Sequence, residues 1–276
     1  MRLNNRKALI TGAGSGIGRA LALRLAEMGG TLVLAGRRSE PLQETARLVQ
    51  EHGGTAHVIT ADLSVPAVAA PLVEQAVAAL GGLDFLINNA GNVRAGELES
   101  ISEDDVQAMV NVDLLAPILL ARAALPHLKT SARATGQAPG SAAILGISSG
   151  IALVGMPFYT VYAGVKAGLA NFDEALRREL HGTGIFVSTA YPGATATPMM
   201  DSNAAGDDLG FGRRTVDDVV DAIIAGLQED AVDINTALAA RRGMQDLNRT
   251  DPTAVDEKLA PLLPQLLQAV STHRSI

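Results

Sequence analysis

The stretch Thr11-Gly12-Ala13-Gly14-Ser15-Gly16-Ile17-Gly18 follows a short apolar run and opens a segment with helical patterning. Glycines at a strand-to-helix turn let the backbone turn tightly and approach a pyrophosphate, whose charge then lies at the positive end of the helix. The spacing is Gly-x-x-x-Gly-x-Gly, because Ile17 occupies the last glycine position of the generic G-x-G-x-x-G pattern. The stretch predicts a dinucleotide-binding turn, and a tight turn without a ligand is the alternative.

Apolar runs and amphipathic segments alternate on both sides of this turn. Strands are predicted at 7–11, 31–35, 55–60, 83–88, 142–147 and 185–190, and helices at 16–28, 40–51, 65–79, 102–128 and 159–180. Such βαβ repetition with right-handed crossovers predicts an α/β protein with a doubly wound parallel sheet, the Rossmann fold. We expect one domain, residues 1–240, followed by a C-terminal helical extension, residues 241–276.

The composition excludes several classes of protein. The 276 residues carry a net charge of -7 without a basic stripe, so we expect no nucleic-acid partner. No apolar run reaches the length of a membrane span, and the first strand leaves no room for a signal peptide. Cysteine is absent, which excludes thiolate metal sites and fits a cytoplasmic location. We expect no metal, and we interpret the five histidines as surface or helix-end residues: His52, His57, His127, His181 and His273.

Tyr162 and Lys166 lie four residues apart in a predicted helix, and therefore on one face. A phenol has a pKa of about 10, and a neighbouring ammonium favours the phenolate. Ser149 lies thirteen residues before Tyr162 and supplies a hydroxyl that can hold a carbonyl oxygen. These are the groups needed to move a proton to or from a carbonyl oxygen. A helix surface with one aromatic residue and one solvated amine is the alternative for the pair alone.

The end of the second predicted strand bears on the choice of cofactor. An acidic residue there would hold the ribose 2′-hydroxyl of NAD, but the sequence reads Gly36-Arg37-Arg38. Gly36 leaves room and Arg37 supplies charge for a 2′-phosphate. We therefore favour NADP (NADPH) over NAD, with Arg37 and Arg38 at the phosphate. Two solvated arginines that open a helix are the alternative.

Five motifs in order resemble the short-chain dehydrogenase/reductase family over about residues 5–230. They are the glycine stretch, Asp62-Leu63, Asn88-Asn89-Ala90-Gly91, Ser149 with Tyr162 and Lys166, and Pro192-Gly193 followed by Thr197. The family's usual Asp-Gly-Gly ending is missing near residue 233, and Ser15 stands where many NADP-dependent relatives carry arginine.

The resemblance implies roles for individual residues. Asp62 and Leu63 should flank the adenine, and Asn89, Ala90 and Gly91 should line the adenosine side. Asn111 should bulge its helix and support a proton-relay water beside Lys166. The resemblance also implies that Pro192, Gly193, Thr195 and Thr197 form the nicotinamide end of the site. Spacing to Tyr162 favours Ser149 over Ser148 as the catalytic hydroxyl.

The resulting hypothesis is an NADP(H)-preferring oxidoreductase that acts on a small-molecule carbonyl or alcohol and forms a homo-oligomer, a dimer or tetramer. A non-catalytic nucleotide-sensing or scaffold protein, or a sugar-nucleotide epimerase or dehydratase, are the alternatives. We expect the substrate to lie against mostly apolar residues: Val93, Ile151, Met156, Phe158, Gly193 and Met199.

Two further segments carry expectations. Residues 199–214 are rich in glycine and polar residues, so we expect a mobile lid with little to bury. Asp251-Pro252 looks like a helix start, and seven apolar residues follow at roughly helical spacing up to Val270. Pro261 and Pro264 divide or kink that helix. Since the stripe must be buried, we expect the tail, residues 251–276, to form a subunit contact rather than to pack on its own domain.

Overall fold

In the computed structural model, which describes residues 1–275, seven parallel strands form one sheet. The strands in chain order are β1 (Lys7–Thr11), β2 (Thr31–Gly36), β3 (Thr55–Thr60), β4 (Phe85–Asn88), a separate short β5 (Val93–Arg94), β6 (Ala142–Ile147), β7 (Ile185–Tyr191) and β8 (Asp233–Asn235). Their order across the sheet is β3-β2-β1-β4-β6-β7-β8. The direction of winding reverses between β1 and β4, which is where open sheets of this kind place a ligand crevice.

Helices cover both faces of the sheet, as a doubly wound fold requires. They are α1 (Gly16–Glu27), α2 (Ser39–Glu51), α3 (Ala69–Leu80), α4 (Glu103–Val110), α5 (Ala116–Ala134), α6 (Thr160–Glu179), α7 (Val216–Gln228), α8 (Ala239–Thr250), α9 (Pro252–Leu259) and α10 (Leu263–Val270). One apolar cluster lies beneath α1, α2 and α7, and a second beneath α3, α5 and α6. The predicted fold class is confirmed.

The apolar strands fit this arrangement because successive side chains point to opposite faces. In β1, Ala8 and Ile10 join the first cluster, whereas Leu9 joins the second, and all three are fully buried. In β2, Leu32 and Leu34 face one side and Val33 the other. Continuous apolar runs are therefore typical of these strands, since both faces of the sheet are covered.

The predicted helix at 102–128 is three segments and ends later, at Ala134. Ser102 begins it as predicted, since its hydroxyl accepts a hydrogen bond from the Asp105 amide at 3.1 Å. A wider π-helical turn, Asn111–Leu115, separates α4 from α5.

The same helical run, Glu103–Ala134, is long and apolar enough to cross a membrane by length and composition. In the fold it is a layer on the sheet: 39% of its most apolar window is buried, and Leu120, Ala124 and Leu128 belong to the second core cluster. The expectation that no apolar run reaches the length of a membrane span is therefore wrong by length and composition, although the helix itself was predicted. Its apolarity follows from covering the sheet on one side while leaving apolar side chains half-buried on the other.

The tail begins as predicted, because the Asp251 side chain accepts a hydrogen bond from the Ala254 amide and caps α9. A short 3₁₀ turn, Ala260–Leu262, then divides the predicted stripe at Pro261. The expectation that the tail forms a subunit contact rather than packing on its own domain is wrong, since the buried side of the stripe has its partner in its own chain. The buried members Val255, Leu259, Leu266 and Val270 join a third apolar cluster that includes Ile151, Tyr159 and Phe211.

After α10 the chain forms β9 (Arg274–Ser275), which pairs antiparallel with β5. The register joins Val93 to Ser275 and Arg94 to Arg274. The tail is thus fastened to the loop that follows β4 and not only packed against the helices. Ile276 lies outside the described residues.

We expect Leu266→Ala to lower the free energy of unfolding by about 2–5 kcal/mol, because it opens a cavity in the third cluster. Leu263→Ala on the same helix is the matched control, since Leu263 is 37% exposed and Leu266 only 1%. It should change stability by less than about 0.5 kcal/mol. Urea unfolding of both variants measures the difference, and equal losses would contradict the packing of the tail on its own domain.

Candidate active site

A cavity of about 720 Å³ runs from the glycine turn after β1 to the C-terminal tail. It follows the edge at which the parallel strands end, where open α/β sheets bind ligands. Most of the predicted site residues line it: Gly12, Gly14, Ser15, Gly16, Ile17, Arg37, Arg38, Asp62, Leu63, Asn89, Ala90, Gly91, Ser149, Tyr162, Lys166, Pro192, Gly193, Thr195 and Thr197. Gly18 and Asn111 do not line the cavity.

The glycine turn has the shape of a cradle. Gly12 and Gly16 adopt φ values of +65° and +52°, a region that favours glycine. A Cβ atom on Gly12 would lie 2.9 Å from the Ala90 Cα, so a larger residue would also collide with the loop after β4. Gly18 serves packing, because a side chain there would clash with the Asn89 amide and the Gly12 carbonyl. The turn therefore presents backbone, and not side chains, to a ligand at the start of α1, which fits a pyrophosphate.

Asn89 holds this turn in place. Its Nδ2 donates to the Thr11 carbonyl at 2.8 Å and to the Gly12 carbonyl at 3.2 Å. The backbone amides of Asn89 and Ala90 both donate to the Thr11 hydroxyl at 3.0 Å. The Asn89 side chain is therefore engaged with the glycine turn, while its neighbours Ala90 and Gly91 present backbone to the cavity.

Arg37 and Arg38 are exposed at the nucleotide end of the cavity. Asp62 lies near Arg37 across the ends of β2 and β3 and accepts a hydrogen bond from the Ser64 amide at 3.0 Å. That bond, with a smaller contribution from the charge of Arg37, lowers the pKa of Asp62. Leu63, next to it, is 5% exposed and packs beneath the cavity floor. This end combines two cations with an apolar floor, which suits a phosphorylated ribose and an adenine.

Lys166 is buried beside Tyr162 in α6, and its Nζ lies 5.7 Å from the centre of the Tyr162 ring. The ammonium donates to the Ile147 carbonyl at 3.1 Å and forms an ion pair with Asp113 at 3.0 Å. Asp113 is fully buried and accepts a second hydrogen bond from the Asn92 amide at 3.0 Å. Gly91 leaves the room for this pair, since a Cβ atom there would lie 2.7 Å from Asp113 Oδ1.

The electrostatic balance at Tyr162 differs from the expectation that Lys166 brings its pKa down. Burial has the largest influence and raises the pKa of Tyr162. The Lys166 ammonium and a hydrogen bond with Ser149 lower it as expected, but the Asp113 carboxylate raises it again. Burial opposes the charge of Lys166 too, yet Asp113 and Tyr162 outweigh burial and raise the pKa of Lys166. At neutral pH the site therefore holds a protonated phenol beside a charged ammonium.

The two adjacent serines have different surroundings. Ser148 is buried and its hydroxyl donates to the Lys166 carbonyl at 2.8 Å, which fastens α6 to the end of β6. Ser149 begins a 3₁₀ turn, and its hydroxyl accepts a hydrogen bond from the Ile151 amide at 3.3 Å. The Ser149 hydroxyl contributes to the environment of the Tyr162 phenol, whereas that of Ser148 does not.

Asn111 lies at the start of the π-helical turn, so the helix is indeed widened where the resemblance implies. Its side chain points away from the cavity, because Nδ2 donates to the Ser64 carbonyl at 2.9 Å and Oδ1 accepts from Gln107 at 2.8 Å. The widened turn instead directs Asp113 at Lys166 and Val112 at the cavity. Sequence reasoning missed Asp113, although a lone acid within an apolar helical run was a usable signal.

The loop after β7 closes the end of the cavity at which the nicotinamide is expected. The Pro192 carbonyl accepts a hydrogen bond from the Gly150 amide at 2.7 Å, which joins this loop to the turn that carries Ser149. Thr195 is 4% exposed, and its hydroxyl donates to the Gly193 carbonyl at 2.9 Å. The Thr197 amide donates to the Thr195 carbonyl at 2.7 Å. Thr197 is more open to the cavity than Thr195.

The residues that line the expected substrate end of the cavity differ in part from those that the sequence predicted. Val93, Ile151, Gly193 and Met199 line the cavity, whereas Met156 and Phe158 lie outside its lining. The structure adds residues that no motif indicated: Phe211, Arg241, Met244, His273, Arg274 and Ser275. They come from residues 199–214, from α8 and from the tail, whose positions depend on tertiary packing.

His273 is buried, so its interpretation as a surface residue is wrong. Its Nε2 donates to the Met199 carbonyl at 2.9 Å, so in the neutral ring Nδ1 accepts from the Tyr159 hydroxyl at 2.7 Å; the same hydroxyl accepts a hydrogen bond from Asn203 at 2.9 Å. Burial lowers the pKa of His273, which favours its neutral form. The segment 199–214 therefore has more to bury than expected, since Asn203 joins this polar cluster and Phe211 joins the apolar one. Whether the segment moves remains a prediction.

A buried carboxyl lies behind Lys166. Asp173, in α6, accepts a hydrogen bond from the Thr189 hydroxyl at 3.1 Å. Glycine at position 146 leaves space for the Asp173 carboxylate, because a Cβ atom at that position would collide with it. Burial raises the pKa of Asp173 to about 7, although the Thr189 bond and the charge of Lys166 oppose the change.

A glycine cradle at a helix start and a serine, tyrosine and lysine around one cavity define an NAD(P)-dependent oxidoreductase. Residues 6–208 match the family model described as short chain dehydrogenase. A ketoacyl reductase of Nostoc sp. is 32% identical over 234 residues, which are 84% of this chain and 78% of that relative. The chain belongs to the short-chain dehydrogenase/reductase family, whose members act on CH–OH groups.

Further similarities agree with this assignment. A (2S)-[(R)-hydroxy(phenyl)methyl]succinyl-CoA dehydrogenase subunit of Thauera aromatica is 35% identical over 201 residues, 73% of this chain and 77% of that relative. The crystal structure of a short chain dehydrogenase from Burkholderia cenocepacia in complex with NADP is similar with a TM-score of 0.74 at 32% identity. That comparison covers 85% of this chain and 96% of the other.

We expect Asp173 to make stability depend on pH. Because its pKa is about 7 in the folded protein and 3.8 in the reference state, the folded state binds the proton more tightly. The free energy of unfolding therefore falls as pH rises through this window. Between pH 5 and pH 8, the wild type should lose roughly 2–3 kcal/mol more than Asp173→Asn, which has no titrating group there. Urea unfolding at both pH values measures this, and parallel losses in the two proteins would count against it.

Proposed function

We propose that the protein is an NADP(H)-preferring oxidoreductase that interconverts a small-molecule carbonyl compound and a secondary alcohol, with Tyr162 as general acid/base. The observation that carries the proposal is the placement of Tyr162, Lys166 and Ser149 at the same cavity as the glycine cradle. The bound nicotinamide supplies the hydride, and the protein supplies position and proton transfer.

Each residue of the site has a role that its surroundings support. Tyr162, whose pKa is raised by burial, donates its phenolic proton to the carbonyl oxygen during reduction. Ser149 holds that oxygen and favours the phenolate that remains. Lys166 stabilises the same phenolate through its charge, and Asp113 and the Ile147 carbonyl fix the ammonium in position.

The preference for NADP rests on charge at the nucleotide end. Arg37 and Arg38 line the cavity, and the second strand ends without the acid that would hold a ribose 2′-hydroxyl. A guanidinium binds a phosphate through charge-assisted hydrogen bonds. The NADP complex of the similar Burkholderia cenocepacia enzyme supports this preference.

A homo-oligomer and a cytoplasmic location remain proposals. The helical run Glu103–Ala134 leaves apolar side chains half-buried outside the second core cluster, among them Leu114 and Ile118. Such a surface supports association with a second copy of the chain. The absence of cysteine supports a reducing compartment.

We expect Tyr162→Phe to bind NADPH nearly as well as the wild type and to lose turnover by roughly 10²–10⁴-fold, because the change removes only the transferable proton. Tyr191→Phe is the matched control, since Tyr191 bonds Asp233 at 3.0 Å outside the cavity. Single-turnover oxidation of NADPH on a reducible ketone measures the rate. A Tyr162→Phe variant with wild-type turnover would refute the assignment.

We expect Arg37→Ala to weaken NADPH binding by roughly ten- to hundredfold and NADH binding much less, because the lost charge-assisted bond belongs to the 2′-phosphate. Arg47→Ala is the control, since Arg47 pairs with Glu44 and Glu51 on the outer side of α2. Fluorescence titration with each cofactor measures both constants. An equal loss for the two cofactors, or tighter binding of NADH by the wild type, would contradict the preference.

A further inference from the structure

Arg241 is a cation without a counterion in the wall of the cavity. It lies in the first turn of α8, and its Nη1 contacts Met156 Sδ at 2.8 Å and Met244 Sδ at 3.7 Å. Thioether sulfur is only a weak hydrogen-bond acceptor. Within residues 1–275, no carboxylate oxygen lies within 4.0 Å of the guanidinium or contributes to its electrostatic environment.

Holding a charge without a counterion in this half-buried position costs free energy. Burial disfavours the charged form of Arg241 and lowers its pKa to about 10, which still leaves the group charged at neutral pH. Charges removed from water are normally paired or hydrogen-bonded to oxygen. On a solvated surface this guanidinium would keep its hydration at no cost in free energy. Its contact with two thioethers in the cavity wall therefore calls for an explanation.

The backbone around Arg241 favours the same kind of ligand. Leu238 precedes the first turn of α8 and provides no side-chain cap, and the first turn contains no acidic residue. Leu238 and Ala240 line the cavity together with Arg241. The start of a helix carries positive partial charge on its free amide groups, which adds to the charge of the guanidinium. The other charged residues in this part of the lining are Asp207 and Arg274, and both are exposed.

Arg241 lies on the substrate side of the catalytic tyrosine. The Tyr159 ring is 6.5 Å from the Tyr162 ring and 5.6 Å from the Phe211 ring, and Tyr159 also lies near Arg241. A ligand that reaches from Tyr162 to Arg241 passes Tyr159 and the apolar side chain of Phe211. The cavity thus has a proton donor at one point and a cation at another, with apolar surface between them.

We infer that Arg241 is the binding group for an anion carried by the substrate, so that the enzyme acts on oxo acids or hydroxy acids whose carboxylate or phosphate is separated from the reacting carbon by an apolar stretch. This inference rests on the proposed function of the same cavity and adds the substrate class. Met156 and Met244 hold the guanidinium in place before the substrate binds, and their flexible side chains yield when an oxygen anion replaces them.

The first experiment measures binding without turnover. Hexanoate and hexanamide serve as probes in calorimetric titrations of the NADPH complexes of wild type, Arg241→Met and Arg242→Met. Arg242 is exposed and outside the cavity lining, so it is the matched loss of charge one residue away. We expect hexanoate to bind the wild type and Arg242→Met, and to bind Arg241→Met roughly ten- to hundredfold more weakly. Equal binding of both probes by the wild type, or an equal affinity for hexanoate in all three proteins, would overturn the inference.

The second experiment measures selectivity. A homologous series of oxo acids and their methyl esters gives, for each protein, the ratio of kcat/KM for acid over ester. We expect the ratio to exceed one in the wild type, to fall roughly tenfold or more in Arg241→Met through KM, and to be partly retained in Arg241→Lys. Inorganic phosphate as a competitor of the oxo acids tests the phosphate alternative. A ratio that Arg241→Met leaves unchanged would refute the inference.

The two proposals fail in different ways. If the wild type reduces neutral esters and ketones but shows no preference for acids, the oxidoreductase function stands and the anion site is wrong. If the wild type binds hexanoate through Arg241 but reduces no carbonyl compound, the anion site stands and the proposed function is wrong. The melting temperature adds a check on folding, since Arg241→Met replaces an unpaired, half-buried charge with an apolar side chain and should melt no lower than the wild type.

Discussion

The ion pair between Lys166 and Asp113 is the interaction on which the catalytic geometry depends. It joins α6 to the widened turn between α4 and α5, and its remaining hydrogen bonds reach the Ile147 carbonyl and the Asn92 amide. Four separate segments are therefore fixed around one buried ammonium. Removing either charge would leave the other buried without a partner, which is the costly case for a buried pair. Gly91 provides the space that this ion pair needs, and the π-helical turn directs Asp113 at Lys166.

Much of the fold follows from local patterns in the sequence. The central strands β1, β4 and β6 are apolar on both faces, and each ends at a motif with a fixed geometry, so that the three motifs meet at one edge of the sheet. The glycine turn, Asn89 and the pair in α6 were predictable for this reason. The pKa of Tyr162 was not, because it is the balance between burial and a carboxylate on another helix, and neither can be read from the spacing of Tyr162 and Lys166.

The C-terminal tail shows where such reasoning ends. Its apolar stripe predicted burial correctly, but a stripe does not specify whether the surface that covers it belongs to the same chain or to another. In the structure it packs against Tyr159 and Phe211, and β9 pairs with β5. His273 then becomes part of a polar cluster with Tyr159 and Asn203 in the wall of the cavity. Nothing near His273 in the sequence indicated these partners, because they lie 114 and 70 residues away.

Two cations of the cavity, the buried Lys166 and the half-buried Arg241, allow a comparison. Lys166 has a carboxylate, a carbonyl and a phenol around it, so its charge is already balanced and acts on Tyr162. Arg241 contacts two thioethers, which carry no negative charge to balance that of the guanidinium. A fold gains no stability from an unpaired guanidinium in an apolar wall, and an apolar residue would pack there as well. The two cations therefore differ in the source of the negative charge that balances them. Asp113 of the protein balances Lys166, whereas Arg241 is balanced only by a ligand that brings its own negative charge.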